Sequence, residues 1–69
     1  MQVCSVVQGR VVEVLAMAGA NVESGDDLVI VESMKMEVPI QAPQTGTVAK
    51  VLVGPGDPVE EGTVLVMLE

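Results

Sequence analysis

The residues of this 69-residue chain that could do chemistry lie in one short stretch, residues 32–37, at the middle of the sequence. The stretch reads Glu-Ser-Met-Lys-Met-Glu, so the amine of Lys35 stands between two methionines, which are side chains usually found buried. Apolar runs at residues 28–31 and 38–40 predict two strands joined by a tight hairpin with Met34-Lys35 at its tip. Such turns favour Asn-Gly or Asp-Gly. Because function is expected where a local rule is broken, we predict a functional lysine, the alternative being a lysine that only caps a hairpin.

Composition restricts the possible partners and the setting of the chain. Ten acidic and three basic residues give a net charge of −7, which argues against binding nucleic acid or an anionic membrane surface and is compatible with docking on basic protein surfaces. We see neither a transmembrane stretch nor a signal peptide. The single cysteine, Cys4, excludes an internal disulfide, and the absence of histidine argues against zinc. We expect a cytoplasmic or organelle-matrix setting, with Cys4 as a small strand residue.

The sequence contains an internal repeat with a shift of 37 residues. Residues 9–32 align without a gap with residues 46–69, and 11 of these 24 positions are identical, against roughly one or two expected by chance. The identical pairs are Gly9/Gly46, Val11/Val48, Val14/Val51, Leu15/Leu52, Gly19/Gly56, Val22/Val59, Glu23/Glu60, Gly25/Gly62, Leu28/Leu65, Val29/Val66 and Glu32/Glu69. Each half alone would expose an apolar face, so we predict that the halves pack face to face about a pseudo-two-fold axis.

Each half reads as short strands separated by turns, and no helix is predicted. Over residues 10–16 the alternation places Val12, Val14 and Ala16 on the core face, with Ala49, Val51 and Val53 in the second copy and Glu13 and Lys50 on the solvated face. Turns are expected at residues 19–21, 24–26, 56–58 and 61–62. One all-β domain over residues 1–69, a sandwich or barrel, follows. The repeat mate of the hairpin would follow Glu69, so the termini should lie at the end opposite Lys35.

The sequence resembles the biotinyl (biotin carboxyl carrier) domain family over essentially the whole chain. The residues that carry the resemblance are the 32–37 stretch, then Ala42-Pro43-x-x-Gly46, Gly56-Asp57-x-Val59 and Gly62. In length the chain looks most like the small stand-alone biotin/lipoyl attachment proteins. The resemblance implies a flattened β-barrel of two quasi-symmetric four-stranded antiparallel sheets, with the modified lysine on an exposed hairpin.

The same resemblance implies a non-catalytic carrier. Biotin protein ligase would attach biotin covalently to Lys35, and the biotin would carry CO₂ from a biotin carboxylase to a carboxyltransferase. From the residue types we expect Met34 and Met36 to form a flexible surface that the ligase recognises, the alternative being hairpin packing. Glu32 and Glu37 are expected to guide docking, the alternative being simple solvated charge. Lipoyl domains share the fold, and their lysine typically follows Asp and precedes a small residue, a pattern from which Met34 and Met36 depart. A lipoyl carrier, or dual attachment of biotin and lipoate, remains an alternative. So does an unmodified barrel of the membrane-fusion adaptor type.

Overall fold

The computed structural model describes every residue of the chain, and its regular structure consists of eight β-strands without a helix. The strands are β1 (Gln2–Cys4), β2 (Gly9–Val14), β3 (Asn21–Val22), β4 (Asp27–Ser33), β5 (Met36–Gln41), β6 (Gly46–Val51), β7 (Pro58–Val59) and β8 (Val64–Leu68). Valine-rich segments of two to seven residues, separated by turns and bends, form strands because branched side chains pack well on a pleated surface. The all-β prediction is confirmed.

The strands form two four-stranded antiparallel sheets that exchange elements between the halves of the chain. The first sheet has the order β1-β8-β6-β3 and the second has the order β5-β4-β2-β7. The pairing of β1 with β8 repeats that of β5 with β4 at a shift of 37 residues, as Gln2–Met67 corresponds to Pro39–Ile30. The two sheets are therefore quasi-symmetric, as predicted, and each half supplies both edge strands to the sheet of the other.

A core of 14 aliphatic residues, drawn from both sheets, holds the fold together. The repeat mates Leu28 and Leu65 are 1% and 0% exposed, and Val11 and Val48 are both 1% exposed. Burying a side chain of this size contributes roughly 1.5–3 kcal/mol relative to leaving it in water. Burial of matching residues from the two halves is the physical reason for their pairing.

The predicted alternation along β2 is wrong at Val12. This side chain is 41% exposed, whereas its neighbour Val11 is buried. The register between β2 and β4 shifts between Val11 and Glu13, which marks a β-bulge. A bulge places two residues opposite one on the partner strand, so the inward and outward faces exchange beyond it.

The second copy contains the same bulge. Ala49 is exposed where Val48 is buried, and the register between β6 and β8 shifts between Val48 and Lys50. Residues beyond each bulge follow the prediction. Val14, Val51 and Val53 pack against the core, Ala16 belongs to it, and Glu13 and Lys50 are exposed.

The predicted turns depend on glycine at positions related by the repeat. Gly19 and Gly56 have φ of 90° and 92°, and Gly25 and Gly62 have φ of 93° and 92°. These angles are disfavoured for side chains with a Cβ, so glycine is required there. Four tight turns thus bring the short strands back into the two sheets.

Candidate functional site: an exposed lysine on a strained hairpin

The hairpin between β4 and β5 has the two-residue tip that the sequence predicts. Ser33 and Met36 are the last paired residues, which leaves Met34 and Lys35 as the turn. Their φ angles are 52° and 65°, and they are the only non-glycine residues of the chain with positive φ. Two positive φ values are the pattern of a type I′ turn. Because this conformation costs roughly 1–2 kcal/mol for a residue with a Cβ, the unusual backbone strain of the fold is concentrated at Met34 and Lys35.

The side chains of the tip project into solvent. Met34 is 91% exposed and Met36 is 66% exposed, and Lys35 between them is exposed as well. Methionine is flexible and polarizable, and leaving two of them in water is unfavourable unless something binds there. The tip therefore combines an accessible primary amine with an adaptable apolar surface on each side.

The strands below the tip are firmly anchored. Val29 and Val31 of β4 are completely buried, and they pair with Ile40 and Val38 of β5. A residue mounted on packed strands is held more precisely than one on a mobile loop. Lys35 is therefore presented by two packed strands rather than by a flexible loop.

Two glutamates flank the tip on the outer face of the hairpin. Glu32 and Glu37 are exposed Cα partners on β4 and β5. The structure therefore brings together on one hairpin all five predicted site residues, namely Glu32, Met34, Lys35, Met36 and Glu37. The acidic pair Glu32 and Glu37, at the root of the hairpin, and the apolar methionines at its tip could together contact a protein surface that carries basic and apolar groups.

Sequence reasoning missed Arg10, which lies in the same row of the sheet. Its Cα partner on β4 is Glu32, so Arg10, Glu32 and Glu37 stand side by side on three adjacent strands. The internal repeat could have pointed to Arg10, because the equivalent residue of the second copy is Thr47, so the two copies differ at this position. Thr47 donates a hydrogen bond of 2.9 Å to the side chain of Asn21. The two halves thus differ next to the lysine hairpin.

The other lysine occupies a different environment. Lys50 is exposed, but it lies inside β6, opposite Met67 of β8, in the sheet that does not contain the hairpin. Its backbone is held in the ladder, and no turn presents it. The fold distinguishes the two lysines by their backbone setting and not by their exposure.

A groove of about 260 Å³ lies between the edge strands β1 and β5. Four repeat-related pairs line it, Gln2/Pro39, Val3/Ile40, Cys4/Gln41 and Val6/Pro43. Cys4 contributes the only titratable side chain of this lining, and its thiol is free and half-buried in β1. No three His, Cys, Asp or Glu side chains are grouped as metal ligands, and no long apolar helix that could cross a bilayer is present. The exposed hairpin is therefore the candidate site.

Comparisons with known proteins point to one family. A family model described as "Biotin-requiring enzyme" matches residues 1–68. The chain is 43% identical over 68 residues to the biotin/lipoyl attachment protein of Bacillus subtilis, covering 99% of this chain and 93% of that protein. It is 41% identical over 62 residues to the biotinylated protein TB7.3 homolog of Mycobacterium leprae, covering 90% and 87%.

Other relatives are much larger proteins. The chain is 48% identical over 61 residues to pyruvate carboxylase of Bacillus subtilis, covering 88% of this chain but 5% of the enzyme. Among solved structures, urea carboxylase of Kluyveromyces lactis matches with a TM-score of 0.94 and 35% identity, covering 100% of this chain and 6% of that one. A single-chain, multi-domain long-chain acyl-CoA carboxylase matches with a TM-score of 0.90 and 38% identity, covering 96% and 7%.

Proposed function

This chain belongs to the biotin-requiring family as a carrier domain, and we propose that residues 1–69 are a biotin carboxyl carrier domain with Lys35 as the attachment residue. The choice of Lys35 rests on its position in an exposed, strained two-residue turn, in which Met34 and Lys35 both have positive φ. Strain of this kind persists where a site requires it. A two-residue turn selected only for stability would have Asn-Gly at these two positions.

Attachment of biotin requires chemistry that this domain does not supply. The ligase forms biotinyl-adenylate from biotin and ATP, with release of pyrophosphate. Nζ of Lys35 then attacks the acyl carbon, an amide bond forms, and AMP leaves with the electrons of the broken acyl–phosphate bond. Because an ammonium group has no free lone pair, a base of the ligase must first accept a proton from Nζ. The domain contributes presentation of the amine.

The attached biotin makes the domain a shuttle. Biotin held on Lys35 would accept CO₂ at a biotin carboxylase and release it at a carboxyltransferase. Because the ring is tethered, each site meets it at a high effective concentration without release into solution. The domain itself is non-catalytic in this scheme. A reducing setting, cytoplasm or organelle matrix, suits a chain whose one thiol has no partner within it.

The residues around Lys35 supply recognition. Met34 and Met36 offer exposed thioether surface that can adapt to an apolar pocket of the ligase. Glu32 and Glu37 place negative charge below it, which favours approach of a basic surface. These contacts allow a ligase to distinguish one lysine from the many exposed lysines of other proteins.

Lipoate is the second candidate cofactor, because one relative that matches 99% of this chain is a biotin/lipoyl attachment protein. The same hairpin geometry can present an amine to a lipoyl ligase. The Met-Lys-Met sequence favours biotin, since lipoyl domains typically place Asp before the lysine. Dual attachment therefore remains a testable property of this tip.

The experiment is modification by purified ligases followed by intact mass measurement and peptide mapping. Biotin adds about 226 Da and lipoate about 188 Da to the chain. We expect a single biotin, located on Lys35, that is lost in Lys35→Arg and retained in the matched variant Lys50→Arg. Label on Lys50, or label that survives Lys35→Arg, would overturn the proposal.

A further inference from the structure

Gly9, the first residue of β2, lies against the main chain of the acceptor hairpin. A Cβ added at this position would overlap the carbonyl oxygen of Glu32, and it would stand 2.9 Å from the carbonyl carbon. It would also stand 3.0 Å from Cγ1 of Val31. Contacts below 3.0 Å are essentially never made by real Cβ atoms, and the obstacle here is backbone rather than a flexible side chain. Any other residue at this position must push Glu32 away.

The position of Gly9 makes that push consequential for Lys35. The ladder between β2 and β4 begins at the pair Arg10–Glu32, and Ser33 has no partner on β2. The hairpin tip therefore projects beyond the last contact with β2, and Glu32 is the residue of β4 that receives this contact. A two-residue turn has no spare chain that could absorb a displacement. Movement of the Glu32 carbonyl is passed to Lys35 three residues on.

The repeat provides a matched comparison in the same molecule. Gly46 is the mate of Gly9, and a Cβ there would stand 2.8 Å from the carbonyl oxygen of Glu69, the mate of Glu32. The steric conflict is of the same kind but smaller. Gly46 begins β6, in the sheet β1-β8-β6-β3, whereas the hairpin that carries Lys35 belongs to the sheet of Gly9. The two glycines thus share a packing role, but only Gly9 contacts the strand that leads into the lysine hairpin.

We infer that Gly9 is a positioning residue for the modification of Lys35, in addition to any role in stability. Its missing side chain lets β4 approach β2 closely enough to aim the hairpin in the orientation that a ligase engages. This inference rests on the proposed function, since it concerns the same lysine. It assigns to a residue 26 positions away in sequence a share of the recognition of the tip.

The test compares Gly9→Ala with Gly46→Ala as full-length domains. Three quantities are measured for each variant: thermal stability, kcat and KM for biotinylation by a purified biotin ligase, and the rate at which a small acetylating reagent modifies Lys35. The small reagent reports only whether the amine is exposed, whereas the ligase also requires the orientation of the tip. Reactions are run at a temperature where both variants are folded.

We expect both variants to lose stability, but only Gly9→Ala to lose fivefold or more in kcat/KM, with the larger change in KM and an unchanged rate of acetylation. Should Gly9→Ala be unfolded in buffer, the same measurements in a stabilising osmolyte restore the comparison. Equal ligase kinetics for the two variants would overturn the inference. Absence of label on Lys35 in the wild-type domain would instead overturn the proposed function, so the two failures are distinguishable.

Discussion

Glu32 and Glu37 are Cα partners across the root of the hairpin, so two carboxylates stand side by side in a chain that already carries a net charge of −7. Like charges directly opposite one another destabilise a pair of strands. Arg10 is the Cα partner of Glu32 on the other side, on β2. A pairing that is unfavourable for folding is thus found next to the residue proposed for attachment, as expected when recognition is favoured over stability.

Removing one of these charges should stabilise the domain and weaken its recognition. We expect Glu37→Gln to raise the free energy of unfolding by roughly 0.2–1 kcal/mol, the usual size of a cross-strand pair effect. The gain should shrink at high salt because the repulsion is screened. Urea unfolding at low and high salt measures the stability, and kcat/KM for biotin ligase, which should fall, measures the recognition.

The matched control for this prediction is Glu13→Gln. Glu13 is also an exposed strand glutamate, but its Cα partner on β4 is Ile30, so no like charge opposes it. A gain of equal size from Glu13→Gln would show that net charge, and not the Glu32–Glu37 pair, controls the stability.

The domain should fold without its cofactor. The aliphatic core excludes the hairpin tip, and Lys35 is exposed, so attachment of biotin removes no core contact. Amide hydrogen exchange should show equal protection of β4, β6 and β8 in the unmodified and biotinylated forms, with Met34 and Lys35 least protected in both. A largely unprotected unmodified form would contradict this expectation.

The repeat made most of the fold predictable. Eleven identities at one fixed shift predict two halves that pack together, and glycine at matching positions predicts the turns. The side of β2 on which Val12 lies was not predictable in the same way. Residues 10–16 read as a simple alternation with Val12, Val14 and Ala16 on the core face, and the bulge that exchanges the faces depends on the pairing with β4 rather than on residue type.

The candidate site was likewise predictable from the sequence only in part. The position of the turn at Met34-Lys35 could be predicted because few residues separate the two apolar runs. Its functional role was predicted because these residues include neither Asn nor Gly, which such turns favour. Gly9 and Arg10 could not be predicted, because their contact with Glu32 joins residues that are more than 20 positions apart and exists only after β2 and β4 have paired. Local patterns predicted the proposed acceptor, and tertiary packing revealed the residues that support it.

The methionines should decide which ligase accepts the domain. Met34 and Met36 are 91% and 66% exposed, so replacing them removes little buried area and should leave the fold intact. Met34→Asp with Met36→Ala imports the pattern typical of lipoyl domains and places a charge where a biotin ligase is expected to make an apolar contact. We expect kcat/KM for biotinylation to fall tenfold or more, which is about 1.4 kcal/mol, and lipoylation to improve.

Kinetics of both ligases on the wild-type domain and on this double variant provide the measurement. Single variants separate the effect of the new charge at position 34 from that of the lost thioether at position 36. Unchanged biotinylation of the double variant would mean that the position of the hairpin, and not its methionines, carries the recognition.

The backbone of Lys35 should make the wild-type tip less stable than a glycine turn. With φ of 65°, Lys35 occupies a region where a Cβ costs roughly 1–2 kcal/mol, whereas glycine adopts it freely. Glycine also loses more chain entropy on folding, so we expect Lys35→Gly to gain about 1 kcal/mol, or about 4–8 °C in Tm for a domain of this size.

Lys35→Ala is the matched control, since it also removes the amine but keeps the Cβ, and it should gain nothing. Thermal unfolding of the three proteins measures the difference, and equal Tm values for the Gly and Ala variants would show that the tip stores no strain. Such a gain, available by one substitution that removes the proposed attachment residue, would support the view that the tip retains lysine at the expense of stability.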